Sequence, residues 1–239
     1  MRLLVIADIH ANYEALKAVE SAAGSVDATL FLGGAALFGA SVSECVNWLR
    51  NSATWAVAGE DDLAVALSRV GPAADEPTAW RDATSALHRN QLDADDLTWL
   101  AGLAPRLSFY FDMRSMLAVH RVGTPAVAAD PDARLSALRE LTASSGADCL
   151  FTAGDRAPWV LEEQGFTAAS PGSVGLPGDG DPRASFLIWE GGTLQIHRVE
   201  YDVEKAVRDV LLMPLPLEVA KQIKHRLLTG HAYRQGETG

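Results

Sequence analysis

Cysteine is nearly missing from this chain: Cys45 and Cys149 are the only two in 239 residues. Far apart in sequence, they offer no disulfide framework and no metal-ligand spacing, which suits buried thiols in a reducing compartment. Long apolar runs are missing as well. No stretch approaches the roughly 18 residues that a membrane span needs, and the chain reaches Asp8 before a signal-peptide core forms. Basic charge is scarce, with 20 Lys and Arg against 31 Asp and Glu and a net charge of −11. That balance opposes broad contact with nucleic-acid phosphates or an anionic membrane. Linkers, repeats and low-complexity tracts are also lacking, so one domain over residues 1–239 is expected. The expected location is the cytoplasm, with neither nucleic acid nor membrane as a partner.

What remains is an ordinary globular composition, 48% hydrophobic and 21% charged, long enough to bury a full core. Residues 2–7, 28–33 and 54–58 are apolar strand-like runs separated by helical patterns. Asn12 has the character of an N-cap, and Ser41 with Glu44 has capping-box spacing ahead of a helix to about Arg50. Strand, helix, strand, helix, strand implies parallel pairing with right-handed crossovers. Gly71-Pro72 and Pro77 mark a loop, and residues 78–103 read as a helical cap beside the sheet. Short strands follow at 106–111, 116–120 and 148–152, with a helix near 132–143. Gly191-Gly192 is a hairpin signal between apolar runs, and 203–212 and 217–228 read as closing helices.

The chemistry is concentrated where the apolar runs end. Asp8 and His10 stand two apart, so they face one way if the first strand continues through them. Open α/β sheets bind ligands at the carboxyl ends of their strands. A turn-capping Asp8 and a surface His10 are the bland alternative.

The motif Asp8-Ile9-His10, the stretch SPGSVGLPGDGDPRASFLIWE over 170–190 and the closing YDVEKAV…PLPLEVAKQIKHRLLTG resemble the calcineurin-like metallophosphoesterases. The resemblance runs the length of the chain. It implies an α/β fold, a four-layer αββα sandwich of two mixed sheets. It also implies two metal ions, bridged by an aspartate and a hydroxide, that polarise a phosphoester for in-line attack. Mapped onto this sequence, the first ligands are Asp8 and His10. The bridging aspartate is replaced by Gly34, the amide ligand by Glu60 and the leaving-group histidine by Asp61. His120 is kept, while Gly154 and Arg156 fall where two final histidines belong.

The candidate metal set is therefore Asp8, His10, Glu60 and His120, with Asp61 at the general-acid position and Arg156 as a candidate surrogate for a metal ion. Arg156 either pairs with Asp8 or lies on a surface loop. Glu60, Asp61 and Asp62 either form an acidic, solvated helix start or, with Asp8, a hard-cation site. Gly172, Ser173 and Gly175 either offer N–H groups to an anion or shape a turn. His88, His225 and His231 read as solvated, and His197 as structural. Two functions stay open. One is a catalytically impaired phosphoesterase homologue that binds a small phosphorylated ligand or a protein partner. The other is an active metal-dependent phosphoesterase with an altered or single-metal site. The expected cofactor is Mn²⁺ or another divalent ion, weakly held or absent, and family resemblance admits a homo-oligomer.

Overall fold

The computed structural model describes residues 1–68, 78–122, 131–163 and 165–232. The loop expected around Gly71-Pro72 and Pro77 lies outside them. Ten strands and eight α-helices run through the described residues.

The first sheet has the order β10-β9-β1-β2-β3. Its strands are β1 (Arg2–Ile6), β2 (Ala28–Phe31), β3 (Trp55–Ala56), β9 (Ala184–Glu190) and β10 (Thr193–Val199). β1 pairs parallel with β2, and β2 with β3. β9 joins β1 antiparallel and forms the expected hairpin with β10. The second sheet has the order β4-β5-β6-β8-β7, built from β4 (Arg106–Phe111), β5 (Arg114–Val119), β6 (Cys149–Phe151), β7 (Pro158–Glu163) and β8 (Phe166–Pro171). It is also mixed: the β5–β6 and β6–β8 pairs are parallel, and the two outer pairs antiparallel.

Three cores define four layers. Leu3, Val5, Leu30, Phe109, Met116, Phe151 and Trp189 pack between the sheets. Alternate residues of β1, Leu4 and Ile6, face the opposite way. They meet α1 (Tyr13–Ala23), α2 (Val42–Ser52), α7 (Val203–Leu212) and α8 (Leu217–Thr229). β1 is buried on both faces, which is why its sequence is a continuous apolar run. A third cluster of Leu117, Leu135, Leu138, Leu150 and Phe166 seats α6 (Pro131–Thr142) outside the second sheet. The expected αββα sandwich of two mixed sheets is the observed architecture.

Some local expectations need correction. β3 is only two residues long: Val57 still donates to the Phe31 carbonyl at 3.0 Å but bridges Ala104, and the Ala58 N–H turns to the Ala104 carbonyl at 2.8 Å. Ser41 makes no side-chain cap to α2; its backbone N–H is drawn instead to the Ala11 carbonyl at 2.9 Å. β7 and β8 were not legible as strands. The region 78–103 holds α4 (Thr78–Gln91) and α5 (Ala94–Gly102). Arg50 on α2 ties to Asp96 on α5 at 2.7 Å.

Candidate functional site

The carboxyl ends of β1 and β2 do not simply stop. Beyond Ile6 the chain leaves the extended conformation, and Asp8, His10 and Ala11 take positive φ of 52°, 48° and 53°. Asp8 and His10 therefore do not share a strand face by alternation. They meet because residues 8–11 run beside the loop Gly33–Gly39 and pair with it. Asp8, His10 and Ala11 donate backbone N–H bonds to the carbonyls of Gly33, Gly34 and Ala35 at 2.8–2.9 Å. From the other side, Gly175 N–H and the Ser173 hydroxyl both donate to the Asp8 carbonyl, at 2.9 and 2.8 Å. Gly175 is obligatory: a Cβ there would stand 1.7 Å from the Ile9 oxygen. Ser173 and Gly175 thus hold the tip of β1.

Asp8 and His10 are both buried, and each keeps one polar atom without a hydrogen-bond partner, Oδ2 of Asp8 and Nε2 of His10. His10 Nδ1 donates to the Ala36 carbonyl at 3.0 Å, which leaves Nε2 as a bare lone pair. That nitrogen stands 3.8 Å from Asp8 Oδ1, beyond hydrogen-bond reach. Burial pushes the Asp8 carboxyl above its usual range, opposed by the positive fields of His120, Arg156 and Arg121. Burial also drives His10 well below the usual imidazole value, with Arg156 adding to the effect. His10 is therefore neutral near pH 7.

The three carboxylates of the 60–62 cluster do not converge on a cation. They open α3 (Glu60–Ala66), and each goes its own way. Glu60 is exposed. Asp61 pairs with the buried Arg81 of α4 at 2.6 Å. Asp62, fully buried rather than solvated, accepts four backbone N–H bonds: Gly34 at 2.8, Ala35 at 2.8, Ala36 at 3.2 and Gly59 at 2.9 Å. Its capacity is spent on pinning the loop after β2 to the start of α3.

His120 follows β5 and donates from Nδ1 to the Leu32 carbonyl at 2.6 Å, locking its ring against the β2 tip. The next residue, Arg121, lays its guanidinium on Gly154, where a Cβ would come within 3.1 Å of its Nε. Arg156 has φ 54° and carries its guanidinium carbon 5.7 Å from the Phe38 ring centroid. Phe38 in turn meets His10 edge-on at 5.0 Å.

His88 was expected to be solvated and is fully buried. From α4 it accepts the Leu37 N–H at 3.0 Å and donates to the Gly39 carbonyl at 2.8 Å, which fixes a neutral tautomer. Burial lowers its pKa to about 4. It clamps an unusual turn, because Leu37 and Phe38 both take positive φ, 70° and 72°, without being glycine. Sequence inspection missed this loop and its clamp. The apolar run Ala35–Phe38 between two glycine positions was the available signal.

Gly34, the position implied for a bridging aspartate, has φ 83°. A Cβ there would lie 2.5 Å from Asp8 Oδ1 and 2.8 Å from its Cα. Among the described residues, no three His, Cys, Asp or Glu side chains form a group that could hold a metal ion. Also among them, no helix is long and apolar enough to cross a membrane.

No family model matches the chain. It is 25% identical over 242 residues to uncharacterized protein MJ0912 of Methanocaldococcus jannaschii, covering 90% of this chain and 93% of that protein. Its fold superposes with a TM-score of 0.77 on hypothetical protein PH1004 from Pyrococcus horikoshii, at 19% identity over 93% of this chain and 97% of that one. The metallophosphoesterase from Sphaerobacter thermophilus also gives a TM-score of 0.77, at 30% identity over 96% of this chain and 99% of its own. Near-complete coverage in both directions, with the tip of β1 ending in Asp8-Ile9-His10, makes this chain a member of the metallophosphoesterase family.

Proposed function

We propose that this protein retains the metallophosphoesterase fold without its two-ion hydrolysis, and that the cleft at the strand tips binds a small phosphorylated ligand. The observation that carries this reading is the crowding at Gly34, where a bridging carboxylate has no room: a Cβ at 2.5 Å from Asp8 Oδ1 is far inside van der Waals contact. The remaining donors do not fit a two-ion centre. Asp62 is consumed by four N–H groups and Asp61 by Arg81, and Glu60 faces solvent.

The ligand class follows from what surrounds the cleft. Arg121 lays its guanidinium on Gly154, and Arg156 carries its own over Phe38, which meets His10 edge-on. Planar guanidinium forks match phosphate oxygens in charge and geometry. The two buried, free thiols, Cys45 and Cys149, suit a reducing cytoplasmic setting.

A phosphoesterase with a single ion is the second reading. The unpartnered Asp8 Oδ2 and His10 Nε2 speak for it. One pair of assays separates the two. With Mn²⁺ supplied, hydrolysis of p-nitrophenyl phosphate and bis(p-nitrophenyl) phosphate should stay at background. In EDTA, inorganic phosphate should raise the melting temperature of the wild type but not of Arg121→Ala. Turnover lost on His10→Ala would overturn the proposal in favour of the single-ion enzyme. A phosphate-blind wild type would refute the ligand class and leave a protein partner as the occupant to seek.

A further inference from the structure

His10 is oriented by a loop of another part of the chain. Its ring Nδ1 donates to the Ala36 carbonyl at 3.0 Å. Its backbone carbonyl accepts the Gly39 N–H at 2.9 Å, and its ring meets Phe38 edge-on at 5.0 Å. All three partners lie within Ala36–Gly39. That stretch is strained, because Leu37 and Phe38 hold positive φ of 70° and 72° while carrying side chains. Residues stay in that region only where their surroundings over-determine them. Burial of Leu37 and Phe38 keeps their side chains inside. It does not satisfy the polar backbone of the turn, whose Leu37 N–H and Gly39 carbonyl point toward α4.

We infer that His88 is a positioning residue for the cleft: through Ala36–Gly39 it sets the imidazole of His10. His88 answers both polar groups of the turn at once, accepting the Leu37 N–H at 3.0 Å and donating to the Gly39 carbonyl at 2.8 Å. Without it, both would be buried and unpaired, and the left-handed turn would lose the contacts that fix it. A neutral imidazole suits the post because it is an acceptor at one nitrogen and a donor at the other. A glutamine amide offers the same pair of functions, and a leucine offers neither. The seat of α4 does not depend on His88 alone. Arg81 of the same helix pairs with Asp61 at 2.6 Å, and Arg89 donates to the Val65 and Ala66 carbonyls at 2.9 and 2.6 Å. Position 88 can therefore be changed while the helix stays docked on α3. The path from His88 to His10 runs through printed contacts of one short turn, with no contact between the two rings required.

Two readouts test this, and only the second rests on the proposed ligand site. The first is the imidazole N–H resonance of His10 in ¹⁵N-labelled protein in EDTA, identified by its loss in His10→Gln. Buried and bonded to Ala36, that proton should be visible and slow to exchange with water in the wild type. It should persist in His88→Gln and vanish in His88→Leu, while the amide spectrum of the rest of the chain stays folded. The second readout is titration with inorganic phosphate by calorimetry. His88→Gln should bind within about twofold of the wild type and His88→Leu roughly tenfold more weakly. A His10 signal that survives in folded His88→Leu, or disappears in folded His88→Gln, overturns the inference. So does wild-type phosphate affinity in His88→Leu. Should His88→Leu fail to fold, His88→Asn takes its place, since it is polar but one bond shorter than Gln. A wild type blind to phosphate sinks the proposed function, and the His10 signal alone then decides the positioning role.

Discussion

Two buried carboxylates, Asp62 and Asp8, lie on either side of the loop Gly33–Gly39 and lead opposite lives. Both are withdrawn from water, and burial is the main influence raising both pKa values. Asp62 answers that burial with four backbone N–H bonds. Asp8 leaves an oxygen unpartnered and relies on fields from His120, Arg156 and Arg121. A carboxylate that is fully hydrogen-bonded to backbone builds architecture. One kept buried and unanswered marks a place where charge, rather than shape, is the requirement. The contrast separates the part of this site that holds the fold from the part left short of hydrogen-bond partners.

The comparison breaks most visibly at Asp62. Asp62→Ala strands four buried N–H groups, and we expect a loss of about 4 kcal/mol or more in chemical denaturation. A loss below about 1 kcal/mol would show that the loop finds other partners. Gly34→Asp comes next. The new side chain meets Asp8 and needs a left-handed backbone, so a cost of about 3 kcal/mol is expected, with no gain of metal binding. A stable Gly34→Asp protein holding Mn²⁺ would show that the crowding is relieved by a small shift.

His88 sharpens the same contrast through pH. Its native pKa of about 4 lies below the unfolded value near 6.5, so the unfolded chain binds the extra proton between those values. Stability is therefore fully present above pH 6.5 and lost as the pH falls toward 4, by about 2 kcal/mol between pH 7 and 5. His10 adds in the same direction. Replacement by Gln should flatten, though not abolish, this slope in melting temperature, and an unchanged slope would place the titration elsewhere. The smallest effect belongs to Asp8. Asp8→Asn removes a costly charge and no hydrogen bond to Oδ2, so the change should stay within about 1 kcal/mol at pH 7. A loss as large as that of Asp62→Ala would erase the distinction between the two acids.

Much of the fold is legible in the sequence. The double-sided burial of β1 shows as an unbroken apolar run, and the β9–β10 hairpin shows as Gly191-Gly192. β8 escaped notice because its six residues, all buried, include small and polar ones, Thr-Ala-Ala-Ser, that carry little strand signal. β7 begins at a proline and ends in two glutamates, an edge strand without alternation. At the site, Asp8, His10 and His120 are legible as motif positions. The roles of Asp62 and His88 are not. Both act across long sequence distances, His88 on a turn 49 and 51 residues away. Such contacts leave no local pattern. Nor does a left-handed turn at Leu37 and Phe38 announce itself, since the residues that usually mark positive φ are absent there.

The most direct test is the metal content of the wild-type protein, measured by mass spectrometry after loading with Mn²⁺ and desalting. Far less than one ion per chain is expected, because Gly34 leaves no room for a bridge and Asp61 and Asp62 are engaged by Arg81 and by backbone N–H groups. One or two ions retained per chain, and lost on His10→Ala, would contradict that and restore a working metal centre to this site.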